Sequence, residues 1–257
     1  MILNPTHIKS KTERWSSKFL ESILTVFPKE IRPHYIDPTK TQQVISIQRA
    51  IILEITNRAI DFYNTIEESL LTRKVIYNHY NISMKTPRRS SLQVTYLGRE
   101  GKKRQILNDG KMIKEIETQL RLAVKTVFFK HKVTFYDQLN IMQSTDILLG
   151  RHGAGFVNAI FMRPKSGVLH INAPKYGKTC MDNICEKSYL FYDQVKDNIV
   201  NNTKEMQYYF DHIPKHRAYE VNRDANLIVN ISTVLDKMSK MISRVKGEKY
   251  HYVLYYS

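Results

Sequence analysis

The feature that most constrains this chain is the alternation it keeps up between Ser91 and Ile171. Short runs rich in β-branched and large apolar residues, at Leu92 to Leu97, Val124 to Phe129, Asp146 to Gly150 and Gly167 to Ile171, are separated by stretches of helical character. Asn108 and Asp109 offer an N-cap for a helix through Leu122, Thr134 can cap a helix through Met142, and Gly155 to Met162 reads as a short helix. Strand and helix in strict turn predict a parallel sheet with right-handed crossovers, because parallel neighbours cannot be joined by a hairpin. The predicted class is therefore α/β: a Rossmann-like parallel sheet with flanking helices.

The rest of the chain reads differently. Ile45, Ile51, Ile52, Ile55, Ile60 and Phe62 recur near a period of 3.6 through Thr41 to Leu71 and predict one long helix or two. Pro28, Pro33 and Pro38 mark a loop region before it, and Ser83 to Ser91, with Pro87 and Arg88-Arg89, is a polar connector after it. In the tail a helix is expected around Cys185 to Val195. An amphipathic stripe over Asn226 to Ile242, built on Leu227, Ile231, Val234, Leu235, Met238 and Ile242, should pack on the domain. Tyr250 to Tyr256 reads as an edge strand or tail. This divides the chain into a helical N-terminal region, 1–90, and a Rossmann-like domain with a C-terminal helix, 91–257.

Charge narrows the function without fixing it. Forty Lys plus Arg against twenty-four Asp plus Glu give +16, but 42% hydrophobic content argues against a disordered polycation. The excess cations either attract a phosphate-bearing partner or lie scattered and solvated. Two cysteines, Cys180 and Cys185, exclude a disulfide framework and a zinc-finger array. No metal site or Asp-x-Asp motif is expected. The stretch from Phe19 to Phe27 is far short of a membrane span, and no targeting segment is evident near the start. Asn81-Ile82-Ser83, Asn201-Asn202-Thr203 and Asn230-Ile231-Ser232 fit the N-glycosylation acceptor pattern and lift a secretory reading slightly.

Open parallel sheets take ligands beyond the carboxyl ends of their strands, and two loops fall there. One follows Leu97 and carries Arg99, Lys102, Lys103 and Arg104; the two arginines offer planar donors that match phosphate. The other reads Gly150-Arg151-His152-Gly153-Ala154-Gly155, where small residues let a ligand approach the main chain and His152 can donate to an anion. Plainer readings stand beside these: the glycines as a tight turn, His152 as a structural ring, and Asn108 as a helix cap. Two neighbouring strand ends would then present their guanidinium groups and small-residue turn to one shared phosphate group.

These residues carry a resemblance. VTYLGREGKKRQILN from Val94 to Asn108, Asp137-Gln138, and DILLGRHGAGFVNAIFMRPKSGVLHINAP from Asp146 to Pro174 resemble the catalytic region of glycosyltransferase family 61. That family has an Arg after a strand, a second Arg before Ile-x-Asn-Glu, a Glu-Gln pair, and a His-Gly-Ala-Gly loop entering an Asn-x-x-Phe helix. The chain departs from it at Asp109 and Asp137, each in place of Glu, and at His170, where many members carry Glu. The resemblance implies a GT-B fold of which residues 91–257 are the C-terminal half, with 1–90 a reduced or partial acceptor-side domain. It implies an inverting, metal-independent transfer from a UDP-sugar to a hydroxyl of a glycan or glycoprotein, without a cofactor, in the lumen of the Golgi or endoplasmic reticulum. On matching positions Arg99, Arg104, Asn108, His152, Gly153, Ala154, Gly155 and Asn158 would bind the donor.

The base stays open among His152, Asp137 and Glu100, and in the family it comes from the other domain. His152 and Asp137 are the expected catalytic residues within this chain. Two other functions compete with transfer: a basic nucleic-acid-binding module, and an inactive transferase-like binding protein.

Overall fold

The computed structural model describes residues 15–24, 63–84, 91–129, 133–173, 180–201 and 224–251, with isolated positions at 204, 208, 211 and 212. The helices are α1 (Trp15–Leu24), α2 (Ile66–His79), α3 (Asp109–Leu120), α4 (Phe135–Ser144), α5 (Cys180–Lys187) and α6 (Ile231–His251), with a 3₁₀ helix at Ala154–Phe161. The strands are β1 (Val94–Leu97), β2 (Val124–Val127), β3 (Ile147–Arg151), β4 (Gly167–Ile171), β5 (Phe191–Val195), β6 (Ile199–Val200) and β7 (Leu227–Ile228).

The first five strands form one sheet in the order β2-β1-β3-β4-β5, every pair parallel. That is the α/β, Rossmann-like sheet the alternation predicts. Its two faces follow from the period-2 alternation of strand side chains. Leu97, Leu148 and Val168 point to one face, under α2, α4, α5 and the 3₁₀ helix. Val94, Tyr96, Ile147, Leu149, Leu169 and Ile171 point to the other, under α3 and α6. Covered on both sides, β1, β3 and β4 are buried along their whole length, which is why they read as apolar runs.

Local chemistry places the helix starts. Thr65 caps α2 and Thr134 caps α4, each in a reciprocal capping box, with Glu68 and Asp137 as the third-position partners. Asn108 does not cap α3, contrary to expectation; its amide faces the C-terminal segment. The expected Cys185 to Val195 helix divides into α5, which begins earlier, and strand β5. The chain reverses between them at Ser188 and Tyr189, where Tyr189 takes φ 54° and Leu190 N–H donates to Cys185 O at 2.8 Å, a helix-ending geometry. The short helix expected over Gly155 to Met162 is the 3₁₀ helix Ala154–Phe161. Of the tail's apolar stripe, the part from Ile231 onward becomes α6, with Val234, Met238, Met241 and Val245 buried, whereas Leu227 lies in strand β7.

The helical readings over Thr41 to Phe62, the proline-marked loop and Tyr252 to Tyr256 lie outside the described residues. Among the described residues no helix is long and apolar enough to cross a membrane.

Leu148 has no exposed surface and lies mid-sheet, so Leu148→Ala should cost about 2–5 kcal/mol in urea unfolding. Leu71→Ala, at a position 61% exposed, should stay within about 0.5 kcal/mol.

Candidate anion site at the β1/β3 switch point

From β1 the chain crosses to β2 on one side and returns to β3 on the other, so the sheet order reverses between β1 and β3. Crossovers diverge at such a point and leave a crevice at the strands' carboxyl ends. A cavity of about 200 Å³ lies there, lined by Tyr96, Leu97, Arg99, Arg104, Gln105, Ile106, Leu107, Asp109 and Arg151. Three guanidinium groups thus share one small volume. A drug-sized ligand fills about 300–1,000 Å³, so this cavity has room for a small group such as an anion and not for a whole ligand of that size.

Each arginine is fixed by a different part of the fold. Arg99, two residues beyond β1, donates from Nη1 to His152 O at 3.0 Å. It passes so close to Gly153 that a Cβ there would lie 2.1 Å from Nη1, so any side chain at this position would push the guanidinium aside. Gly150 is likewise closed to a side chain, since a Cβ would meet Leu97 O at 2.7 Å. Arg151 ends β3, is buried, and donates from Nη1 to Gln105 O at 3.3 Å. Arg104 has φ 61° and binds the Asp224 carboxylate, from Nε at 2.8 Å and Nη2 at 2.7 Å. Burial first, and then repulsion from Arg104, hold the Arg99 guanidinium below its usual pKa. Opposite the arginines, Tyr96 O–H donates to Asp109 Oδ2 at 3.2 Å; burial, then the adjoining carboxylate, push the phenol upward.

The cationic loop is strapped by the chain's far end. Leu227 N–H donates to Gln105 O at 2.9 Å, Leu107 N–H to Leu227 O at 2.8 Å, and Arg104 N–H to Asp224 O at 3.1 Å. Asn226 and Asn108 complete the strap: Asn226 accepts from Gln105 N–H at 2.9 Å and donates to Lys102 O at 3.1 Å. Asn108 donates to Val229 O at 3.0 Å and accepts from Val229 N–H at 2.9 Å.

Of the residues named from sequence, Arg99 and Arg104 line the cavity and Gly153 shapes it. The others take different places. Asn108 holds the strap. The His152 ring does not line the cavity; it tilts against His170 with centroids 5.2 Å apart, and what it gives the site is its carbonyl under Arg99. Ala154 is exposed, and Gly155 packs on Leu97 and Phe129. Asn158, buried, donates to Gln138 Oε1 at 3.2 Å and Gly155 O at 3.0 Å, bracing the loop from behind. Asp137 is exposed, and its Oδ2 accepts from Thr134 N–H and Oγ1–H as the third-position partner in the capping box of α4. Glu100 is exposed. Sequence reasoning missed Arg151 as a site residue, and Asp224 altogether. A charge ending a fully apolar strand was the available signal for the first; nothing local signals the second, 120 residues from its partner.

His170 sits under this loop, fully buried, stacked on Phe156 and within 2.9 Å of Tyr192 Oη through Nδ1. Burial, then His152, drive its pKa down to about 3. The ring is therefore neutral when folded and titrates near its ordinary value of about 6.5 when unfolded. Its contribution is intact above pH 6.5 and declines as pH falls from there towards 3, by about 1.4 kcal/mol per pH unit for one proton. Unfolding of wild type and His170→Gln between pH 7 and 4 should show that extra acid sensitivity in wild type alone. Gly153→Ala should displace Arg99 and weaken inorganic pyrophosphate binding by about tenfold or more in calorimetry.

The sequence profile described as Glycosyltransferase 61 matches residues 13–169, more than half of the chain. The chain is also similar to proteins named EGF domain-specific O-linked N-acetylglucosamine transferase. The rat protein is 33% identical over 97 residues, covering 37% of this chain and 18% of the relative. The Drosophila melanogaster protein is 36% identical over 76 residues, covering 30% of this chain and 14% of the relative. The aligned segment thus spans less than a fifth of these relatives' length. With the profile match extending from α1 through most of β4 and across both arginine-bearing strand ends, the chain belongs to glycosyltransferase family 61.

Proposed function

We propose that this domain binds the diphosphate of a UDP-sugar and serves glycosyl transfer to a hydroxyl of a glycoprotein, by an inverting route. The observation that carries the reading is the convergence of Arg99, Arg104 and Arg151 on one cavity at the switch point of the sheet. A departing nucleoside diphosphate gains negative charge as the glycosidic bond to it breaks, and preorganised guanidinium groups stabilise that charge without reorganising. Three of them supply what a divalent cation supplies elsewhere, so the transfer is metal-independent in this reading.

The family supports transfer as the chemistry. The relatives' names support N-acetylglucosamine as the sugar and an EGF domain as the acceptor. Residues 91–257 act as the nucleotide-binding half and 1–90 belong to the acceptor side. In this reading the acceptor's proton goes to a base outside the cavity's described lining, whose one carboxylate, Asp109, is engaged by Tyr96 O–H at Oδ2 and Gly110 N–H at Oδ1. Exposure of Asn81, Asn201 and Asn230, each opening a glycosylation triplet, favours the secretory lumen.

Calorimetry with UDP tests the reading. Wild type should bind with EDTA present, while Arg99→Ala and Arg151→Ala should each lose about tenfold or more in affinity, the loss expected for a charge-assisted bond to phosphate. Equal binding by these variants, or a salt-steep response to RNA with none to UDP, would sink it.

A further inference from the structure

We infer that Asp224 is a positioning residue for the diphosphate site: its carboxylate holds one edge of the Arg104 guanidinium so that the other edge is presented to the bound anion. This rests on the diphosphate reading above and goes beyond it, because Asp224 donates nothing to an anion and repels one.

The geometry is one-sided. Nε and Nη2 of Arg104 both reach the same oxygen, Asp224 Oδ1, at 2.8 and 2.7 Å. Nη1, with two N–H groups, has no protein acceptor among the described residues, and Arg104 lines the cavity. An arginine so held has lost most of its rotamer freedom before the ligand arrives, so less is lost on binding. Asp224 also fixes the backbone of the same residue, accepting Arg104 N–H at 3.1 Å where φ is 61°, a conformation a non-glycine side chain adopts only when its surroundings impose it.

Charge points the same way. Asp224 is 5% exposed, and a carboxylate so buried is stable only beside cations. Arg104 is the near one, and Lys103 Nζ stands 3.7 Å from Oδ2 on the outer side. Arg104 and Arg99 repel each other, and the Asp224 charge offsets part of that repulsion at Arg99. One carboxylate therefore lets two arginines stay close before an anion binds. It does so from outside the cavity, whose lining does not include it.

The competing account is that Asp224 merely occupies Arg104 and must be displaced by phosphate. UDP and inorganic pyrophosphate titrations of five proteins separate the two: wild type, Asp224→Ala, Asp224→Asn, Arg104→Ala and the double variant Arg104→Ala/Asp224→Ala. Positioning predicts a loss of about tenfold in Asp224→Ala and a smaller loss in Asp224→Asn, which keeps an acceptor oxygen. It also predicts no further loss when Asp224→Ala is added to Arg104→Ala, since the two act as one unit. Lys103→Ala, which alters the outer contact only, should stay within about twofold. Should Asp224→Ala unfold, Asp224→Asn and the additivity of Arg104→Ala with Asp224→Asn decide. Unchanged or tighter binding in the Asp224 variants of a wild type that binds UDP overturns the inference; a wild type that binds neither probe overturns the diphosphate reading itself.

Discussion

Arg99, Arg104 and Arg151 line one cavity of about 200 Å³, Arg104 repels Arg99 across it, and much of the surrounding structure is what keeps them there. At an effective dielectric of 20, two unit charges 4 Å apart differ from infinite separation by about 4 kcal/mol, so a flexible loop would let the side chains drift into solvent. Here each is tied differently. A main-chain carbonyl takes Arg99, another takes Arg151, and a buried carboxylate takes Arg104. The loops that carry these partners are themselves held, by the missing side chain of Gly153 on one side and by the 224–229 strap on the other. The diphosphate proposed for this site would offset the repulsion that remains.

The sheet is what brings these pieces together. β1 and β3 are hydrogen-bonded neighbours although α3, β2 and α4 intervene in sequence, so the loops that follow them emerge side by side. Burying both faces of β1 and β3 fixes the direction of those exits, since a slip of one residue would exchange the two apolar faces. Beneath the second loop the neutral His170, Phe156 and Asn158 form a packed floor in which little can move without opening the core.

How much of this the sequence disclosed follows the range of the interactions. The strands β1 to β4, the Thr134 cap and α6 are legible because period and capping chemistry are local, and Arg99, Arg104 and Gly153 are legible from their place after a strand. Asp224 pairs with an arginine 120 residues earlier, and no local pattern marks it. His152 and Asn108 look like ligand groups in sequence because their chemistry suits an anion. In the fold His152 supplies its carbonyl and Asn108 both faces of its amide to the main chain. Asp137 is the same lesson at a helix start: its carboxylate belongs to a capping box. The α5 and β5 boundary was missed because the turn at Tyr189 depends on a left-handed residue that is not glycine.

The most direct measurement is a crystal structure of the protein with UDP bound. The account predicts the diphosphate between the carboxyl ends of β1 and β3, within hydrogen-bond distance of Arg99, Arg104 and Arg151, with the Arg104 to Asp224 contact retained. A diphosphate bound elsewhere on the chain, with this cavity unchanged, contradicts it.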